Sequence, residues 1–349
     1  MKRFSTLFIS FIILASLRCG DVRPDEALRS LGSPGYLQEI GVEKVLLTDT
    51  KEGVRHLYVL DNRSSSARRL TTVPMRRSGV WSPDGRLIAY REMSESGSSS
   101  SLSVMREDGT EVRRLVNHPT GPIILWLKWS PDGSCIAFRV GPPTMAVYII
   151  RPDGTGLTMI EALGAPTETV NMQGGLAWSP DGRTLAYEAK YSGDAVPQVY
   201  LVNADGTGRR RLTGAPSAAE NPSWSPDGRQ VVFGSGAQIY VVNADGTDQK
   251  QIWSGPALDP VWSPRGDAIL YRPSFGGLEV VNPDGSGRRQ IAGRNGGNFL
   301  LTSWSPDGGR IAFLWVSGVR TSLYVVTFTG DDIRRLVDDV GSFDLKWSR

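Results

Sequence analysis

The sequence predicts an all-β fold, a seven-bladed propeller of four-stranded antiparallel blades. Three observations predict it. The pentapeptide Trp178-Ser179-Pro180-Asp181-Gly182 recurs with Trp81, Trp129, Trp224, Trp262 and Trp304 in the same place, and Trp347-Ser348 is a clipped seventh copy. The intervals between these tryptophans are 48, 49, 46, 38, 42 and 43 residues, a period that marks a repeat architecture. Between them lie short β-branched and aromatic runs bounded by Gly, Pro, Asn and Asp, which read as strands.

The elements of one unit follow in order. A short first strand ends in Trp-Ser. In Ser-Pro-Asp-Gly, Pro sets φ for a type I turn, Asp tolerates the next place, and Gly takes the left-handed conformation that closes a bulged hairpin. The second strand carries an aromatic at one fixed place: Tyr90, Phe138, Tyr187, Phe233, Tyr271 and Phe313. Neighbouring blades pack face to face, so these rings fill the layer between them. A third strand such as Val199-Tyr200-Leu201-Val202 leads through Asn203-Ala204-Asp205-Gly206 to a fourth, basic strand. Second-strand runs start near residues 45, 87, 135, 184, 230, 268 and 310, which gives seven blades. The first unit lacks a Trp-Ser strand and the last residues supply one. The C-terminal strand is therefore expected to pair into the N-terminal blade, closing the ring and removing exposed sheet edges.

Ahead of the repeats, residues 1–18 read as an export signal, with Lys2 and Arg3 before the 14-residue apolar run Phe4 to Leu17. Cys19-Gly20 resembles the lipid-attachment site of bacterial lipoproteins, although Ser16 and Arg18 depart from that pattern. Residues 19–41 read as a tether and 42–349 as the propeller. The formal charge of +3 comes from this leader: Lys+Arg 39, less Lys2, Arg3 and Arg18, leaves 36 against 36 acids. A neutral body argues against nucleic acid as a partner. The chain is expected to be a monomer that meets the membrane through its lipid alone.

The repeat, Trp-Ser-Pro-Asp-Gly with an Ile-Ala-Phe-like strand, an Ile-Tyr-Val-like strand and Arg-Leu-Thr, resembles the TolB-type propeller family over about residues 42–349. The resemblance implies a periplasmic protein of the Tol–Pal envelope complex, with an α/β domain ahead of six blades. Here about two dozen residues separate Cys19 from the first strand, and the blades count to seven. The repeat carries over; the Tol role does not follow.

Function is harder to place. The repeated acids Asp84, Asp132, Asp181, Asp227 and Asp307 sit between Pro and Gly and read as turn residues. The arginine pairs of the fourth strands read as guards of the outer edge. Two histidines, His56 and His118, no nucleophile elbow and one Cys beyond Cys19 give no catalytic, metal or cofactor constellation. The chain is therefore expected not to be an enzyme. Variable connections lie on the face opposite the tight turns, where binding residues concentrate. Arg91, Arg139 and Arg272 follow the second-strand aromatic in three blades. Lys190, Arg294, Trp126, Trp253 and Trp315 are near the same face. These are the candidates for binding a protein or cell-wall partner in the envelope. The alternatives are an enzyme or carbohydrate-binding propeller, such as a polysaccharide lyase, with its site in the central funnel, and a Tol–Pal-type component.

Overall fold

The structure, a computed structural model, describes residues 35–49, 56–62, 67–71, 79–93, 100–118, 123–141, 145–162, 175–293, 298–318, 320–338 and 340–347. The expected leader, Cys19, most of the tether and Arg294 lie outside them. A five-residue helix, Gly35–Glu39, leads into the first strand. Among the described residues no helix is long and apolar enough to cross a membrane.

The described strands form seven four-stranded sheets, each an antiparallel meander. Blade 1 combines Val42–Asp49, Leu57–Asp61 and Arg68–Arg69 with the strand Val340–Trp347. Blades 2 to 7 follow in chain order over 79–118, 124–162, 176–211, 219–253, 257–292 and 298–338. The Trp-Ser strand is the inner one, because it touches its counterparts in adjacent blades around the ring. The basic fourth strand is outermost. The Pro-Asp-Gly and Asp-Gly turns consequently share one face, and the longer connections share the other.

Neither side of a blade meets water, so the core is a series of layers between blades. The second-strand aromatics are among the largest groups in them, each at most 2% exposed. They stack on tyrosines directly opposite on the third strand: Phe138 on Tyr148 at 5.4 Å, Phe233 on Tyr240 at 5.5 Å and Phe313 on Tyr324 at 5.6 Å. Burial on both sides explains why the strands read as continuous apolar runs rather than as alternation.

The repeated motif builds two contacts. Within its turn, Ser179 Oγ donates to Asp181 Oδ1 at 2.6 Å, and the N–H of Thr184 donates to Ser179 Oγ at 2.9 Å. The Ser179 hydroxyl is the main group holding the Asp181 carboxyl below its usual pKa. Gly182 takes a φ of 69°, which a side chain would strain. In the variant copy Arg265 replaces the aspartate, and Asp267, two residues on, accepts from Ser263 Oγ instead at 2.5 Å. Arg265 is thereby released to donate from Nε to the Asp307 carbonyl of the next blade at 2.6 Å. Between blades, the tryptophan reaches back. The indole N–H groups of Trp129, Trp178 and Trp224 donate to the carbonyls of Val80, Lys128 and Ala177 at 3.2, 3.3 and 3.1 Å. Each acceptor is the residue just before the preceding blade's tryptophan.

The outer arginines also act between blades. Arg68, Arg113 and Arg289 donate to the carbonyls of Asp108, Asp153 and Phe328, in the outer turns of the following blades, at 2.5, 3.0 and 2.7 Å. Arg210 does the same to Ala244.

The ring closes through the last strand. Leu345 pairs with Val45 and Phe343 with Leu47. Thr48 and Ser342 share a buried hydroxyl–hydroxyl hydrogen bond of 2.7 Å. Asp344 Oδ2 accepts the N–H of Trp81 in blade 2 at 2.7 Å, so this strand also seals the next seam. Deleting residues 343–349 removes Phe343 and Leu345 from the core, and buried side chains of this size each contribute roughly 2–5 kcal/mol. Thermal melting of the truncated chain should lose its cooperative transition or shift far downward; an unchanged melting curve would rule out this closure as a stabilising contact.

Candidate functional site

The place following the second-strand aromatic is occupied by Arg91, Arg139, Glu188, Gly234, Arg272 and Leu314 in blades 2 to 7. Strand alternation decides where these side chains go. Phe138 packs with Ala89 and Leu102 of blade 2, and Tyr187 with Ala137 and Val147 of blade 3. The aromatic therefore faces the preceding blade, and the next residue faces the following one. Arg91 and Arg139 are 3% and 1% exposed, and Glu188 is fully buried. Successive blades thus carry three buried ionisable groups at one strand position.

Their electrostatics are coupled. Burial lowers the Arg139 pKa, and Glu188 and Tyr191 oppose that shift. Burial is also the main cause that pushes Glu188 up to about 8; repulsion from Glu220 in blade 5 adds to it, and Arg139 offsets part. Neither oxygen of Glu188 meets a hydrogen-bond partner among the described residues. At neutral pH this carboxyl keeps its proton, as expected of an acid whose charged form is poorly solvated.

A second polar group forms across blades 5 to 7. Arg272 is half-buried, pairs with Asp259 on the inner strand, and donates from Nη1 to the Phe299 carbonyl of blade 7 at 2.5 Å. Asn221 Nδ2 of blade 5 donates to Asp259 Oδ1 at 2.8 Å. Asn221, Asp259 and Leu301 each lie three residues before their blade's tryptophan. All three have positive φ, of 51°, 50° and 42°, at breaks in the strand register. Asn and Asp tolerate this conformation; Leu does so at a cost.

The remaining candidates are spread out. Lys190 is half-buried just beyond the strand that holds Glu188. Trp126 lies opposite Arg139 in register and packs on the layer between blades 3 and 4. Trp315 is half-buried, edge-on to Tyr324. Trp253 is at the perimeter, on an outer strand, against Tyr271 and beneath the Arg288 guanidinium at 4.5 Å. The candidates thus form two groups, Arg91, Arg139, Trp126 and Lys190 on one arc and Arg272 on the other.

Sequence reasoning passed over Glu188, which occupies the arginine column as an acid. It also passed over the column to which the candidate Trp126 belongs, three residues before each tryptophan, with Gly175, Asn221, Asp259, Leu301 and Asp344 in the following blades. Counting back from each Trp would have exposed it. A crescent of exposed apolar groups accompanies this column in blades 6 and 7. Phe275 is 79% exposed on a hairpin connection, and Leu301 50%. Leu258 and Leu300 on the inner strands are also exposed. On the opposite face, a cleft of about 320 Å³ between blades 4 and 5 is lined by Pro180, Asp181, Arg210 and Asp227, which are turn and staple residues.

The raised pKa of Glu188 has a definite sign. A carboxyl moved from its ordinary 4.5 to about 8 favours the fold at low pH, and that contribution is lost as pH rises through 8. Glu188→Gln should therefore gain stability over the parent between pH 5 and pH 9, by roughly 2–4 kcal/mol at the alkaline end. Denaturant titrations of both chains at the two pH values test this, and parallel pH profiles would contradict the buried, protonated state.

Comparison with known proteins bears on one expectation directly. Residues 91–348 match the TolB beta propeller domain. A stretch of 55 residues is 46% identical to the uncharacterized peptidase YuxL of Bacillus subtilis, covering 16% of this chain and 8% of that protein. The chain thus spans under a tenth of that relative. The structure of TolB from Acinetobacter baumannii superposes with a TM-score of 0.56 at 18% identity, over 89% of this chain and 85% of that one. An oligogalacturonate lyase in complex with manganese superposes with a TM-score of 0.65 at 18% identity, over 82% and 86%. The expectation that the chain is not an enzyme is corrected by these likenesses. A lyase shares this fold, and a peptidase relative shares part of this sequence. The scarcity of histidine was therefore no ground for excluding catalysis, since Glu, Arg, Lys and Tyr also carry proton transfer. Among the described residues no three His, Cys, Asp or Glu side chains converge as a metal centre requires. The extent of the family match, together with seven sheets built on its repeat, establishes that the chain belongs to the TolB β-propeller domain family.

Proposed function

We propose that this chain is an exported component of the bacterial cell envelope, held by lipid at Cys19, that binds a protein partner over the loop-rich face of its propeller. The observation that carries the reading is the apolar crescent of Phe275, Leu258, Leu300 and Leu301 beside the Arg272–Asp259 pair. Exposed apolar groups clustered next to a charged pair are the composition of a protein-binding surface. Phe275 and Leu301 serve as anchors. Arg272 and Lys190 supply polar contacts at the margin, while Arg91 and Arg139 set the potential of the funnel from beneath. The family likeness and the export signal support an envelope location.

Capture of partners from envelope extract, with the parent chain and a Phe275→Asp/Leu301→Gly variant, tests the reading. Glycine suits the positive φ at 301, so the variant removes apolar surface without adding strain. A central aromatic anchor is worth roughly 2–4 kcal/mol, so the partner should be lost at least thirtyfold in affinity. A partner retained at equal strength would refute the crescent as the contact. For the anchor, Cys19→Ala should release the protein from membranes.

A second reading rests on Glu188. Its carboxyl keeps its proton beside Arg139, as a general acid must, and a saccharide reaches it only where blade 5 parts from blade 4. Turnover of a glycan panel that disappears in a folded Glu188→Gln variant would favour it over the binding role.

A further inference from the structure

The outer strands are nearly uniform in one respect. Aligned on their buried third residue, they begin with Arg68, Arg113, Arg210, Lys250, Arg289 and Arg334 in six blades, and the next place holds Arg or Gln. Blade 3 is the exception, with Thr158 and Met159. Met159 is 52% exposed, and Leu157 before it 50%. Arg113 ties the adjacent end of blade 2, where Val112 is 59% exposed, to the turn that leads into this strand. The strand Thr158–Ala162 is outermost in its sheet and runs for five residues, against two for Arg68–Arg69 and Arg210–Arg211, four for Lys250–Trp253 and Arg289–Ala292, and six for Arg113–His118 and Ile333–Asp338. Its single acid, Glu161, is buried and paired with Arg209 of blade 4 at 3.0 Å. The rim of blade 3 is thus a long, uncharged, partly apolar sheet edge, and nothing else on the described perimeter combines these properties.

We propose that this edge docks a second copy of the chain, with the two Thr158–Ala162 strands pairing antiparallel about a two-fold axis. An antiparallel edge is complementary to itself: under a two-fold rotation its outward N–H and C=O groups meet their own counterparts. Charge selects this edge among the seven. Two copies meeting through any other outer strand bring arginine or lysine against its like, which opposes pairing. Here no cation faces its copy, and Val112, Leu157 and Met159 lose water on contact. An acidic peptide strand would instead gain more from the arginine-bearing edges, so the missing cations argue for a neutral, self-like partner.

Sedimentation equilibrium of the full chain in density-matched detergent tests the proposal. The parent should approach a weight-average mass twice that of the chain. Thr158→Arg/Met159→Arg, which restores the pattern of the other blades, should bring it down twofold. Gln251→Arg on blade 5 should leave it unchanged. Should the double variant fail to melt cooperatively, Leu157→Ser/Met159→Gln gives the same test with a smaller shift toward monomer. A parent that is monomeric at its highest soluble concentration overturns the proposal. So does a dimer that survives the double substitution, or one that disappears in Cys19→Ala, which would place the contact in the lipid.

Discussion

A four-stranded blade of this protein cannot cover its own faces. Every other feature follows from that constraint. Each sheet is apolar on both sides, so it is stable only between two others, and the set is complete only when the first blade meets the last. The stacked Phe–Tyr pairs fill the layers. The indoles of Trp129, Trp178 and Trp224, reaching back to the preceding inner strand, and Arg68, Arg113, Arg210 and Arg289, reaching forward to the following turn, tie adjacent blades at the inner and outer radii. Residues that look like a basic patch in the sequence are held in place by main-chain carbonyls, as for Arg68 and Arg113, or by carboxylates, as for Arg114, Arg209 and Arg288.

The same constraint decides what could be read in advance. Blade number, turn chemistry and closure were legible, because they depend on Trp, Pro, Asp and Gly at fixed spacing, and each has a local physical meaning. The swap of Asp267 for the missing turn aspartate was not, since it needs the path of the chain to bring a residue two places further on within reach of Ser263. The site was legible only as a region. Arg91 and Arg139 were recognisable as a column, but a strand buried on both faces carries no alternation to tell an inward side chain from an outward one. Glu188 was invisible for a related reason: a lone acid after an apolar run looks like a strand end, and only the packing of blade 5 against it shows full burial.

The two arcs of the funnel have different physical character. Blades 2 to 4 store ionisable groups away from water, where burial shifts Arg139 and Glu188 and each offsets part of the other's shift. Blades 5 to 7 instead carry breaks in the register of their inner strands at Asn221, Asp259 and Leu301, each with positive φ. Those breaks occupy the place where the repeat stops agreeing with itself. A repeat protein keeps its turns uniform because they build the scaffold, and it varies the inner column because variation there leaves the layers intact.

The strand Val340–Trp347 joins the earliest sheet to the latest part of the chain. No closed ring exists until residue 347 is available. Before that strand is in place, blade 1 lacks its inner strand and the seam to blade 2 lacks the Asp344 contact. Until Val340–Trp347 pairs with Val42–Asp49 the blades form an open array, and that single pairing turns it into a closed ring.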